Sequence, residues 1–288
     1  MCKFKSLTSL THEEYERLYK YFWPLMKQKV KHFSLKGKRR KYIQTKESKL
    51  SSLYGSRAKL DFILRYLKEN PTQTFMGEFY QFSQSKVSEW VAFILPVLEV
   101  ALSRIGVMPQ RMGAFNIPSD LDCILCDVTE RQIHRSIDYE VQKEYYSGKK
   151  KAHTVKNIAF SSTNGYIHYL GETFEGSIHD KTLWDVVELN ISEVNILVDL
   201  GFLGADKDHE NVVLPYKNSK NKPITSLQKK INQEISKIRV RVEHAFSGVK
   251  RLRAVKEILR LKRDGIRDLV MEIAVGLHNL RVKSRHNI

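Results

Sequence analysis

Three acidic residues, Asp127, Asp199 and Glu243, stand at positions that suit metal-dependent chemistry. Carboxylates are the ligands that hard divalent cations such as Mg²⁺ prefer, and they leave coordination positions open for water and phosphate. Two such ions about 3.5–4 Å apart activate a nucleophilic oxygen and stabilise the attacking and leaving oxygens of a phosphodiester. We predict a site for two Mg²⁺ ions, with Mn²⁺ as a substitute. In this site Asp127 bridges both ions, Asp199 shares one and Glu243 holds the other.

Each acid also has a structural interpretation. An Asp at a strand end commonly forms a turn or caps a helix, and a Glu on a basic helix commonly pairs with a neighbouring cation. At about 100° per residue, the helix that carries Glu243 places Arg239, Glu243 and Lys250 within an arc of roughly 60°. We predict that Arg239 and Lys250 bind phosphates beside the metal site, with an Arg239–Glu243 ion pair as the alternative.

Apolar runs of strand length carry the first two acids, from about residue 120 onwards. Asn164-Gly165 supplies the positive φ angles of a tight hairpin between the second and third runs. The predicted strands are Leu121–Val128, Ala152–Ser161, Tyr166–Leu170, Val194–Asp199 and Val212–Pro215. Helices are predicted from Asp180 to Leu189, from Ile224 to Arg260 and from Asp264 to Arg285.

The order of these elements predicts an α/β domain with a ribonuclease-H-like mixed sheet flanked by helices. Asp127 lies near the end of the first strand, Asp199 at the end of the fourth, and Glu243 on the helix after the fifth. In a ribonuclease-H-like fold these three points converge at one edge of the sheet. Because fold alone does not define function, it is this joint placement that favours a shared metal site over three separate structural roles.

An all-α region precedes the sheet and predicts a helix-turn-helix module. Residues 11–14 form a capping box at the start of a first helix. An apolar stripe from Leu60 ends near Asn70-Pro71, a short helix follows over Thr72 to Tyr80, and another begins at Ser83 or Gln84 after a turn. In a helix-turn-helix the start of this last helix faces base edges; a small helical bundle is the alternative. The residues placed there are Gln84, Ser85, Lys86, Ser88 and Glu89.

The chain of 288 residues is strongly basic, with 49 Lys and Arg against 32 Asp and Glu and a formal charge of +17. This excess favours a polyanionic partner, because each neutralised phosphate releases condensed counterions. Nine basic residues and no acid occupy positions 27–46, which overlap a predicted linker or arm from Lys31 to Ser56. Lys149, Lys150 and Lys151 are predicted to contact backbone phosphates from the loop before the second strand.

Three cysteines, Cys2, Cys123 and Cys126, are too few for a disulfide framework and indicate a reducing compartment. Cys123-x-x-Cys126 has the spacing of half a zinc site, but no second Cys or Cys/His pair accompanies it in the sequence. The first ten residues lack the apolar core of a signal peptide, and no apolar run reaches the roughly 18 residues of a membrane span. We expect a soluble cytoplasmic protein, associated with a bacterial nucleoid and without a membrane partner.

Five segments resemble the bacterial DDE transposases of the insertion-sequence-five group and their eukaryotic Harbinger relatives. The most specific are the Tyr-Tyr-Ser-Gly-Lys-Lys run that begins at Tyr145 and the Asp-Leu-Gly-Phe turn that begins at Asp199; the others lie at 126–130, 176–180 and 241–250. With the helix-turn-helix, the resemblance covers nearly the whole chain. It implies metal ligation by Asp127, Asp199 and Glu243, and an Arg-x3-Glu-x6-Lys pattern ending at Lys250.

Two positions qualify this resemblance. Many relatives have Tyr three positions before the Arg of that pattern, where this chain has Ser236, so an aromatic contribution to DNA-end handling is not carried over. Asp180 matches a recurrent family residue, but it stands where a helix begins and is predicted to act as an N-cap.

The resemblance implies a DNA transposase that binds double-stranded DNA at terminal inverted repeats. Such an enzyme cleaves the element ends with water in the presence of Mg²⁺ and joins the freed 3′-hydroxyl to target DNA, and pairing of two ends implies a homodimer. The expected domains are an N-terminal helix with a basic linker (1–58), a helix-turn-helix DNA-binding domain (59–115) and a ribonuclease-H-like catalytic domain (116–288). A catalytically silent DNA-binding regulator derived from a transposase, and a ribonuclease-H-like endonuclease without joining activity, are the alternatives.

Overall fold

The computed structural model describes residues 3–49, 51–190, 193–261 and 265–286. In chain order its helices are α1 (Lys3–Thr8), α2 (His12–His32), α3 (Gly55–Glu69), α4 (Gln73–Tyr80), α5 (Gln84–Ile105), α6 (Tyr139–Tyr145), α7 (Asp180–Asp185), α8 (Ser226–Val249), α9 (Arg253–Lys256) and α10 (Ile266–His286). Its strands are β1 (Phe115–Asn116), β2 (Cys123–Gln132), β3 (Tyr146–Ser147), β4 (Ala152–Ser162), β5 (Ile167–Leu170), β6 (Phe174–Glu175), β7 (Leu189–Asn190), β8 (Asn195–Leu197) and β9 (Val212–Val213).

The chain divides into two compact units. One, the helical unit, contains Met1–Met108 and Val249–Ile288, and the other, the sheet unit, contains Pro109–Gly248. This division differs from the predicted domains, which placed the C-terminal helices with the sheet. The physical reason is the apolar face of α10, which is buried within the helical unit. There the Asn279 amide donates a hydrogen bond of 3.0 Å to the Val107 carbonyl oxygen.

Side-chain caps mark the starts of α2, α4 and α5 in the helical unit. Thr11 Oγ1 accepts from the Glu14 N–H at 3.2 Å, and Glu14 accepts from the Thr11 N–H at 2.7 Å, which confirms the predicted capping box. Thr72 and Ser83 cap α4 and α5. Gln81, in the left-handed region, ends α4 and turns the chain into α5. The helices α3, α4 and α5 therefore follow one another in the predicted order.

The sheet unit contains a mixed sheet with the strand order β3-β4-β2-β8-β9, and β5 and β6 pair with β4. Strands β2 and β4 are antiparallel, whereas β8 lies parallel to β2 and β9 parallel to β8. The turn from β4 to β5 passes through Gly165, which has the predicted positive φ of +88, whereas Asn164 does not have a positive φ, so the prediction is confirmed for the glycine alone. Aromatic rings of Phe115, Phe160 and Trp184 lie in the core beneath the sheet. The predicted mixed sheet with flanking helices is confirmed, and it is consistent with a ribonuclease-H-like domain.

Two helices end earlier than predicted. The helix that begins at Asp180 ends at Asp185, because Leu189–Asn190 pairs as β7 with Phe115–Asn116. The long helix predicted to reach Arg260 ends at Val249, and the short α9 follows. The predicted start of the last helix, Asp264, lies outside the described residues.

Within the ranges that the structure describes, no helix has both the length and the apolar character needed to cross a membrane.

Candidate active site

Asp127 lies in the middle of β2, a central strand of the sheet, and not near the strand end as predicted, because β2 continues to Gln132. Its neighbour Cys126 is completely buried, whereas the Asp127 side chain retains 22% exposure. This follows from the period of two along a strand, which turns successive side chains to opposite faces. Asp127 Oδ1 accepts a hydrogen bond of 2.9 Å from the Val128 N–H.

Asp199 reaches the same edge because β8 lies parallel to β2. Leu125 pairs with Leu197 in this ladder, so Asp127 and Asp199 each stand two residues beyond a paired position. Asp199 begins the 3₁₀ helix Leu200–Phe202, and its Oδ1 accepts from the Gly201 N–H at 2.7 Å. The first two predicted acids are therefore brought together by strand register.

A third carboxylate, Asp180, lies beside Asp199. A Cβ atom on Gly201 would be 2.8 Å from Asp199 Oδ1 and 3.0 Å from Asp180 Oδ2, so only glycine fits between the two side chains. Asp180 Oδ1 lies 3.1 Å from Lys156 Nζ, and this ammonium also donates to the Ile178 carbonyl oxygen at 2.7 Å.

The predicted capping role of Asp180 is wrong. Asp180 is the first residue of α7, and the cap position belongs to His179, which makes no side-chain cap hydrogen bond. The Asp180 carboxylate instead pairs with Lys156 of β4, an interaction that depends on the packing of α7 against β4 and that local sequence does not reveal.

Asp127, Asp180 and Asp199 form a cluster of carboxylates, and this environment shifts the pKa of Asp127. The pKa of the Asp127 carboxyl is raised to about 6, chiefly by burial and in addition by the negative charges of Asp199 and Asp180, while the Val128 N–H and Arg239 oppose the shift. Such crowding of like charge disfavours ionised carboxylates in the absence of a cation. The donor set of hard oxygens around a shared negative field fits a divalent cation.

Helix α8 supplies the remaining predicted residues. Arg239 is mostly buried, and its Nη2 lies 4.0 Å from Asp127 Oδ1. Glu243, one turn further along α8, is exposed. Over the described ranges, no three acidic, histidine or cysteine side chains approach closely enough to hold one metal ion. The structure thus brings Arg239 close to Asp127, whereas the exposed Glu243 forms no metal-binding group with Asp127 and Asp199.

Other residues that were considered for DNA contacts lie at the end of α8, within α8 and in the turn between β3 and β4. Lys250 follows the last residue of α8, so the predicted arc shared with Arg239 and Glu243 does not continue through regular helix to it. The Ser236 hydroxyl bonds its own helix, to the Asn232 carbonyl oxygen at 2.8 Å. The lysines predicted in the loop before the second strand are exposed in the β3–β4 turn: Lys149, Lys150 and Lys151.

The residues at the start of α5 differ in accessibility. Gln84 and Ser85 are exposed, and the Gln84 amide bonds the Gln73 side chain. Lys86 and Ser88 are half-buried, and Lys86 Nζ lies 3.6 Å from a Glu89 carboxylate oxygen.

Comparison with known proteins identifies the family to which these residues belong. Residues 126–279, more than half of the chain, match the family described as DDE superfamily endonuclease. Over 184 residues the chain is 30% identical to the probable transposase for insertion sequence element IS702 of Microchaete diplosiphon. That match covers 63% of this chain and 65% of the relative, so the chain spans somewhat less than two thirds of the relative's length. No solved structure matches. The family match contains Asp127, Asp199 and Glu243, and the chain belongs to the DDE endonuclease superfamily.

Proposed function

We propose that this chain is a DNA transposase, which cleaves the ends of its own element and joins them to target DNA. The observation that carries the proposal is the parallel β2–β8 register, which places Asp127 and Asp199 side by side within a DDE superfamily endonuclease domain. Similarity to a probable insertion-sequence transposase supports transposition over simple nuclease activity.

The residues would hold two divalent cations, preferably Mg²⁺, with Asp127, Asp199 and Glu243 as ligands. When bound, such ions activate a nucleophilic oxygen and stabilise charge on the attacking and leaving oxygens. Arg239, held near Asp127, would receive a phosphate oxygen of the scissile strand. Asp180, neutralised by Lys156, would hold the Asp199 turn through its close approach at Gly201.

The two reactions balance as follows. In cleavage, water adds its oxygen to phosphorus, the bond from phosphorus to the 3′-oxygen breaks, and that oxygen takes a proton. In joining, the freed 3′-hydroxyl attacks a target phosphodiester and loses its proton, while the target's own 3′-oxygen leaves and gains one. The number of phosphodiester bonds is unchanged in the second reaction, so no cofactor supplies energy.

DNA recognition is proposed for two surfaces. Gln84, Ser85, Lys86 and Ser88 begin α5, the last helix of the proposed helix-turn-helix, and would read base edges of the terminal inverted repeats. Phosphate contacts, which add affinity without sequence reading, are proposed for Lys149, Lys150, Lys151, Arg239 and Lys250. Pairing of two element ends would require a homodimer.

The test uses duplexes that carry the inverted repeats flanking the gene. With Mg²⁺ we expect strand cleavage at the repeat ends, and joined product when a pre-nicked end and target DNA are supplied. Asp127→Ala should abolish both activities. Asp122→Ala, which removes an exposed acid five residues earlier, is the matched control and should retain them.

Three results would contradict the proposal in different ways. Cleavage that survives Asp127→Ala would show that the metal site is assigned wrongly. Cleavage without joined product would identify a nuclease. Specific repeat binding without cleavage by the unaltered chain would identify a DNA-binding regulator.

A further inference from the structure

The segment between α2 and α3, predicted as a linker or arm, is packed against both helices. The Gln44 N–H donates to the Lys31 carbonyl oxygen of α2 at 3.0 Å, and Leu53 is completely buried. At the other side, the Lys59 ammonium of α3 bonds Glu47 at 2.6 Å and the Leu53 carbonyl oxygen at 2.7 Å. The segment is therefore a wall of the helical unit.

This wall and one face of α2 enclose a groove, which we call the basic groove. Four lysines line it: Lys27, Lys31, Lys46 and Lys49. Among its lining residues the one acid is Glu47, and that carboxylate is already bonded to buried Lys59 and to the Gly55 N–H. The groove therefore presents a positive field without a competing exposed carboxylate.

Two aromatic rings stand at the same groove. Trp23 and Tyr54 are 46% and 48% exposed. Trp23, Lys27 and Lys31 are spaced by four residues along α2, so they form one stripe, and Lys27 Nζ lies 5.4 Å from the centre of the Trp23 ring. The intervening Lys29 instead lies over Phe93 of α5, which shows that the stripe is one face of the helix.

We propose that the basic groove binds an unpaired, single-stranded segment of DNA. Lysines along a groove neutralise backbone phosphates, and exposed aromatic rings stack on bases, which offer their faces only when they are unpaired. The residues that line the groove include none of α5 and none of the three predicted acids. The choice of DNA as ligand rests on the proposed function.

Tryptophan fluorescence offers a direct test with the full chain. Trp90 and Trp184 are only 9% and 2% exposed, so Trp23 is the accessible indole among the three. Oligothymidylate of about 12 nucleotides should quench this emission. Trp23→Phe should remove the quenching and weaken binding of a labelled oligonucleotide measured by anisotropy.

Charge variants distinguish binding in the groove from general electrostatic attraction of DNA to a basic protein. Lys27→Gln with Lys31→Gln should lower the slope of log affinity against log salt by about 1.4, at roughly 0.7 per single-strand phosphate contact. Lys36→Gln with Lys38→Gln removes the same charge from exposed positions just after α2, outside the groove, and should leave slope and quenching unchanged.

Three outcomes would overturn the inference. Equal losses in the two double variants would mean that binding follows net charge. Quenching that persists in Trp23→Phe would place the oligonucleotide elsewhere, and equal quenching by a blunt duplex would remove the preference for unpaired DNA. Failure here would leave repeat-end cleavage and its Asp127 dependence intact, so it is distinguishable from failure of the proposed function.

Discussion

Lys59 in the helical unit and Asp127 in the sheet unit are both largely withdrawn from solvent, and the groups that surround these two charges differ. Lys59 of the helical unit is completely buried, and its ammonium bonds the Glu47 carboxylate and two carbonyl oxygens. Asp127 of the sheet unit has a backbone N–H at 2.9 Å, a guanidinium only at 4.0 Å, and two further carboxylates in its field.

This difference in surroundings indicates that the charge of Lys59 has a structural role and that of Asp127 a functional one. Burial lowers the pKa of the Lys59 ammonium, although the hydrogen bond and the charge of Glu47 oppose this shift, and the group holds the wall of the basic groove. Around Asp127 the partners are incomplete and the neighbouring charges are of the same sign. A buried charge with incomplete partners and neighbours of the same sign is stabilised when a ligand binds. Active sites commonly contain charges of this kind.

The largest expected effect concerns the acid that the structure leaves outside the cluster. Glu243→Gln should lower the rate of repeat-end cleavage by about a thousandfold, or about 4 kcal/mol in barrier, because a proposed ion ligand is lost. Glu234→Gln changes an exposed acid on the same helix and should have no effect. Full activity in Glu243→Gln with inactive Asp180→Asn would transfer the third ligand role to Asp180.

Removing the structural charge should destabilise the helical unit. Lys59→Met leaves Glu47 and two carbonyl oxygens without their donor, and we expect a loss of about 4 kcal/mol in the free energy of unfolding, measured with urea. Arg57→Met on the same helix breaks an exposed ion pair with Glu16 and should cost under about 1 kcal/mol. Similar losses in both variants would mean that Lys59 has no special role.

Removing the charge of Asp127 should have the opposite effect and increase the free energy of unfolding. The pKa of Asp127 is raised from 3.8 to about 6 by folding, so the folded state holds its proton more tightly and loses stability as pH rises from about 4 to about 6. Asp127→Asn should therefore gain about 3 kcal/mol in unfolding free energy at pH 7.5 and much less at pH 4.

The same variant tests metal binding by thermal denaturation. Added Mg²⁺ should raise the Tm of the unaltered chain, because an ion that binds only the folded state stabilises it, and should raise that of Asp127→Asn much less. A variant that is less stable than the unaltered chain at pH 7.5, or an equal Mg²⁺ response in both, would contradict this interpretation of Asp127.

The smallest expected effect concerns the pair that supports the acids. Lys156→Met should lower cleavage by about tenfold, or about 1.4 kcal/mol in barrier, because Asp180 loses its counterion beside the Asp199 turn. Lys156→Arg should restore most of the rate. Lys181→Met removes a more exposed cation that bridges Asp185 and Asp208, and serves as the control. Equal rates in the Met variant and the unaltered chain would mean that Lys156 does not position the site.

Local sequence determined the elements that carry the first two acids. The apolar run around Asp127 and the run before Asp199 have the length and composition of buried strands, and the Asn164-Gly165 turn and the Thr11 capping box use only neighbouring residues. These features depend on side-chain period and on contacts within a few positions, so the sequence suffices to predict them.

Only the tertiary structure determined the contacts between residues that are distant in the sequence. Lys156 and Asp180 belong to different elements, and their pairing depends on how β4 and α7 pack in the sheet unit. Lys59 pairs with Glu47 across a turn that composition alone had marked as a linker. The exposure of Glu243 and the burial of α10 with the N-terminal helices likewise depend on packing. Such contacts reflect the burial of whole faces and the balance of charge within them, which residues adjacent in sequence do not encode.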